Sequence, residues 1–133
     1  MQKHNIEELI AQVENYLECL KQFNSFLNRA RDKKFSADEE SQFLEIKSVL
    51  IQQLEMILAI VQTETMTRDD VHNMIATAPS LRALADFNDG TLRGIESQWH
   101  KIFIAGQCIL GQLKVKQRDT GKGGGFFGFG GKS

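Results

Sequence analysis

The sequence predicts an all-α protein: an up-down-up-down four-helix bundle with its third helix broken at Pro79 and a Gly/Phe-rich tail at the C-terminus. Three observations carry this expectation. Apolar residues recur at 4-3-4-3 spacing over most of the first 118 residues, the signature of helices with one buried face. Residues suited to helix capping stand where each run begins. Pro79 is the only proline, and seven of the 11 glycines fall at Gly121 or later, so the body holds few helix breakers. A chain of 133 residues has the size of one domain. The expected division is a helical bundle over 1–118 and a flexible tail over 119–133.

Helix one is predicted over residues 5–32, with Ile6, Ile10, Val13, Leu17, Leu20 and Leu27 on its stripe and Leu9, Tyr16, Phe23 and Ala30 widening it. Asn5 is the expected cap, with Glu8 reaching back to free N–H groups, and Arg29, Arg31, Lys33 and Lys34 suit the negative end of the helix dipole. Ser36-Ala-Asp-Glu39 reads as a capping box opening helix two, whose stripe from Phe43 through Ile46, Leu50, Leu54 and Ile57 to Val61 predicts a helix over 37–65. Thr67-Arg-Asp-Asp70 opens helix three, with Met66 placed to staple onto Val71. Pro79 disfavours helical geometry at Ala78 and lacks an N–H, so this helix should break and restart at Ser80, turning Leu81, Leu84, Ala85 and Phe87 inward.

Asn88-Asp-Gly90 reads as a turn, after which Ile95, Trp99, Ile102, Gly106, Ile109 and Leu113 predict helix four over 91–118. The long helices would each span about 40 Å, and their short connections favour antiparallel neighbours. Gly106 and Gly111 suggest close helix approach or room for Trp99. Trp99 itself is expected in the core with its N–H bonded at an edge, while Asn24 and Gln53 are expected to fix helix register.

The net charge of −1 is unevenly spread. Residues 35–90 carry three basic against ten acidic side chains, whereas residues 91–133 carry seven against two. The C-terminal block is therefore cationic and suited to an acidic partner. Cys19 and Cys108 both lie in apolar stretches and read as reduced core residues. The opening Met-Gln-Lys-His-Asn-Ile-Glu-Glu lacks the apolar run of an export signal, and no apolar stretch approaches the ~20 residues of a membrane span. A cytoplasmic location is the expectation.

The search for chemistry yields little. Three histidines and no Glu-x-x-His pair argue against a metal bundle, and Asp69-x-x-His72 and Glu96-x-x-x-His100 read as surface pairs. No phosphate-binding loop, nucleophile elbow, Cys-x-x-Cys or His-Glu-x-x-His occurs, so neither cofactor nor metal is expected. Arg93 and His100, with six residues between them near the start of the last long helix, resemble the Arg-x4-6-His signature of HEPN-type ribonucleases, which are small dimeric all-α bundles. The resemblance implies that Arg93 stabilises phosphate charge and His100 transfers a proton. It spans eight residues, and Gly94 stands where the family usually carries a polar residue. Arg93, His100, Gln107 and Lys114 also form an ordinary polar stripe at seven-residue spacing.

The leading expectation is a non-enzymatic interaction protein of adaptor, scaffold or chaperone-like type. Its partner would be a protein or a second copy, since helices one and two carry apolar faces broad enough to favour an oligomer. Small-molecule substrates and nucleic acid are disfavoured. The tail supplies the candidate site: Phe126, Phe127 and Phe129 as apolar anchors on a glycine tether, with Lys114, Lys116, Arg118 and Lys122 steering approach to an acidic surface such as that of Asp38, Glu39, Glu40 and Glu45. The three phenylalanines are expected to dock on another molecule or a second copy. The alternatives are the HEPN-like ribonuclease using Arg93 and His100, and binding of an anionic membrane surface through the same cations and phenylalanines.

Overall fold

The computed structural model describes residues 3–61 and 66–121, with side-chain surroundings for 6–61 and 66–119. Lys122, Phe126, Phe127 and Phe129 lie outside the described residues. Within them all regular structure is helical: α1 (Lys3–Arg31), α2 (Ala37–Ile60), α3 (Arg68–Thr77), α4 (Leu81–Ala85) and α5 (Asp89–Gly121).

Four helix ends depart from the sequence expectation. α1 begins at Lys3, which places Asn5 inside the first turn and not at the cap. α2 stops at Ile60, and Val61 turns extended at φ −93°, ψ 120° instead of carrying the helix to residue 65. Ile60, Val61 and Thr63 are β-branched and lose side-chain freedom in a helix, which weakens this end. Asn88 proves to be a cap and not part of a turn: its Oδ1 accepts the Thr91 N–H at 2.8 Å, and the helix starts at Asp89 with Gly90 in its first turn. α5 also continues to Gly121, beyond the expected end at residue 118, because Asp119 and Thr120 do not break it and Arg118 suits its negative terminus.

The capping box of α2 forms in both directions, Glu39 N–H to Ser36 Oγ at 3.1 Å and Ser36 N–H to Glu39 Oε1 at 2.9 Å. Thr67 caps α3 by accepting the Asp70 N–H at 3.1 Å, and Ser80 caps α4 by accepting the Ala83 N–H at 3.0 Å. Between α3 and α4, Ala78 sits at φ −120°, ψ 75°, the non-helical region that a following proline favours. α1 closes differently. Lys34 N–H reaches Arg29 O and Lys33 N–H reaches Ala30 O, both at 3.0 Å, with Lys33 left-handed at φ 59°. This is the Schellman pattern, with lysine where glycine is the usual occupant.

α1 packs chiefly against α5 and α2 and also touches α4, while α3 packs on α5 and α2. Adjacent helices run antiparallel, as their cross-links show. Tyr16 donates to Leu50 O at 2.8 Å and Arg29 pairs with Glu39 at 2.8 Å, so residues advance on α1 as they recede on α2. Between α1 and α5 the matching pairs are Glu14 with Lys114 and Arg31 with Glu96. Arg68 grips Glu55 through two bonds of 2.6 and 2.8 Å, holding that carboxyl below its usual range, and Lys47 donates to Pro79 O at 2.9 Å. These run α3 against α2.

Tyr16, Phe23, Phe43, Leu20, Leu27, Leu50 and Leu54 are fully buried, each worth about 1.5–3 kcal/mol of apolar burial. Phe23 stacks on Phe43 at 5.3 Å across the α1–α2 seam. Trp99 is half-buried, stacked on Phe103 at 4.9 Å, and donates to Leu20 O at 2.6 Å. Asn15 donates to Gln53 at 3.3 Å, tying α1 to α2. Gly106 does serve close approach: an added Cβ would meet Leu17 Cδ2 at 2.8 Å and Met66 Cε at 3.2 Å. Gly111 does not, since a Cβ there would meet nothing within 4 Å. Cys19 is buried but Cys108 is exposed, because it falls one position outside the buried stripe of Ala105, Gly106 and Ile109.

Candidate functional site

The cationic end of α5 presents its side chains unequally. Lys114 pairs with Glu14 of α1 at 3.5 Å, a half-exposed contact that contributes little. Lys116 and Arg118 are exposed and, among the described residues, form no ion pair. Both point their charge into solvent on the last turns of the helix.

Beside them lies a groove of about 570 Å³ with an aliphatic floor and a polar rim, at the end of the molecule where α1 begins, α2 stops and α5 runs on. Ile6 and Leu9 of α1 and Ile109 and Leu113 of α5 are buried and form its floor. Ile60, which is 49% exposed, and Val61 form one wall, and Lys116 and Gln112 the polar rim. Sequence reasoning assigned Ile6, Leu9, Ile109 and Leu113 to the core and did not single out Ile60. The signal available was an apolar residue at position 60, off the stripe marked by Ile57 and Val61.

Two of the four acidic side chains expected to receive the cations are occupied within the chain. Glu39 is held by the Ser36 cap and by Arg29 at 2.8 Å. Glu40 accepts the Leu81 and Arg82 N–H groups at 2.8 and 3.1 Å, so it holds the N-terminus of α4. Asp38 and Glu45 remain exposed.

Two other concavities lie among the described residues. Arg93 and His100 line one open recess of about 490 Å³ with Asn24, Glu96, Ser97 and Trp99. Arg93 is bound there to Asp89 at 2.9 Å, and Glu96 to Arg31 at 2.8 Å. A smaller cleft of about 220 Å³ between α1 and α2 is lined by Ala11, Gln12, Asn15, Gln53 and Met56. Leu44, Met56 and Ile60 on α2 and Ile104 and Val115 on α5 are large apolar side chains at least 44% exposed.

No family model, curated protein or solved structure matches the chain. No described helix is long and apolar enough to cross a membrane.

Proposed function

We propose that the chain is a non-enzymatic, cytoplasmic interaction protein of adaptor, scaffold or chaperone-like type, binding a protein partner or a second copy through its C-terminal end. In this reading α3 and α4 together form the broken third member of an up-down-up-down four-helix bundle, and the bundle is the platform for the tail. Phe126, Phe127 and Phe129 are the anchors, and Lys116, Arg118 and Lys122 steer the approach, with Lys114 in a lesser part because Glu14 already holds it. The supporting observation is that α5 carries the exposed Lys116 and Arg118 unbroken to Gly121, directly before the phenylalanine segment. Such an arrangement joins a charged approach surface to apolar groups that gain free energy only when they leave water.

The test is association of the full chain by sedimentation velocity and partner capture, compared with the Phe126→Ser/Phe127→Ser/Phe129→Ser variant and with a truncation after Gly121. Both changes should remove association and leave helical content unchanged. Association that persists in both variants rejects the proposal.

The ribonuclease ranks second, favoured by the common recess of Arg93 and His100. Under the leading reading the purified chain leaves RNA intact. Cleavage that His100→Ala abolishes would reverse the order. Sedimentation with anionic vesicles, lost in the triple Ser variant, would instead favour the membrane-surface alternative.

A further inference from the structure

We propose that the groove between the start of α1, the end of α2 and the end of α5 is a receptor for the chain's own tail, taking Phe126 and Phe127 in cis. This rests on the reading of the phenylalanines as the binding element, and adds where they reside between encounters. The same chain thus carries apolar side chains in the segment after α5 and a groove with an aliphatic floor along the last turns of α5.

Reach decides for the tail of the same chain. Leu113, on the groove floor, lies eight residues before Gly121, about 12 Å along the helix. Phe126 lies five residues after Gly121, and a glycine-rich segment of that length has a root-mean-square span of about 12 Å and a limit of about 17 Å. The tether therefore matches the distance it must cover. A short flexible tether that matches its span gives an effective concentration in the millimolar range. A second copy at micromolar concentration competes about a thousandfold less well for the same groove.

Chemistry agrees with reach. The chain must reverse direction after α5, and Gly123, Gly124 and Gly125, soon after its end, are residues free to adopt the left-handed conformation that favours a reversal. The groove volume of about 570 Å³ falls within the roughly 300–1,000 Å³ of ligand-sized clefts. Its floor is aliphatic, which suits phenyl rings, and Lys116 on the rim can set its ammonium over a ring face. The partner of the proposed interaction must then displace the tail or dock beside it, so cis docking lowers the tail's apparent affinity for anything else.

The experiment is nuclear Overhauser spectroscopy on the full chain between the Phe126 and Phe127 rings and the Ile109 and Leu113 methyl groups, at concentrations from about 20 to 500 μM. Cross-peaks of constant relative intensity across that range are the expected result. They should vanish in Ile60→Glu, which places a charge in the groove wall. The Phe126→Ser/Phe127→Ser variant leaves the bundle untouched and should unfold about 3–6 °C lower, by the same shift at every concentration. Cross-peaks that grow with concentration would assign the groove to a second copy and overturn the proposal. Absent cross-peaks with an unchanged unfolding temperature would also overturn it. The two readings fail separately: if docking in cis is absent while the triple Ser variant still loses association, only this inference falls. If docking is present while association survives in that variant, only the interaction reading falls.

Discussion

Tyr16 and Lys33 show how single side chains bear on this fold in opposite directions. Burial, with Cys19 alongside, pushes the Tyr16 phenol above its ordinary range, and its hydroxyl spends its proton on Leu50 O. A group whose folded pKa is raised contributes stability that is complete below its unfolded value, about 10 for tyrosine, and is lost as pH rises beyond it. Tyr16→Phe should therefore cost about 0.5–1.5 kcal/mol at pH 7 and reduce the loss of stability above pH ~10, as read by urea unfolding at both pH values. Lys33 works the other way, since φ 59° is costly for any residue with a Cβ. Lys33→Gly should raise stability by about 0.5–1 kcal/mol without altering the spectrum of the folded state. Unchanged stability in that variant would show that the end of α1 relaxes out of its left-handed turn.

At the scale of elements, the glycines of α5 form a matched pair of tests. Gly111→Ala adds a methyl group to open space and should gain about 0.5–1 kcal/mol in thermal or urea unfolding. Gly106→Ala must push aside Leu17 and Met66 and should gain less than Gly111→Ala or lose stability. α4 poses a different problem, because five residues cannot hold a helix by local propensity. Glu40 supplies the missing restraint from α2, so Glu40→Ala should speed amide exchange at Leu81 through Ala85 while that at Leu50 and Leu54 is preserved. The stripes, the caps at Ser36 and Thr67 and the restart at Ser80 were legible in the sequence, because each depends on residues within one helical turn. The end of α2 and the role of Glu40 were not. The first turns on a competition between β-branched residues and the helix, and the second on a contact between residues 41 apart in the chain.

For the molecule as a whole, the fold class was legible because it follows from periodicity, which a single sequence displays in full. Of the candidate site, the structure describes only the cationic turns of α5, where Lys116 and Arg118 are exposed, while the phenylalanines lie outside the described residues. A groove is a relation among three helices, and Ile6, Leu9, Ile109 and Leu113 carry no mark that distinguishes a groove floor from a core. The placement of Cys108 was misread for a related reason, since one step along a helix turns a side chain by about 100°. Alkylation of the folded protein should therefore modify Cys108 rapidly and spare Cys19, whose thiol burial also pushes toward its unreactive protonated form. Equal labelling of both would show that α1 detaches from its neighbours on the timescale of the reaction.

The position of α1, packed between α2 and α5, bears on how the protein is made. During synthesis α1 leaves the ribosome before α2 to α5, and α2 can cover part of its apolar surface as it follows. The surface that faces α5 stays open until α5 has emerged, because Leu17 waits for Gly106 and Leu20 waits for Trp99. At about 5–20 residues per second the interval is several seconds, long compared with helix formation and collapse. The nascent chain thus passes through a stage in which it is helical and adhesive. A chain stalled before α5 should recruit holding chaperones, whereas the full chain should be released from them.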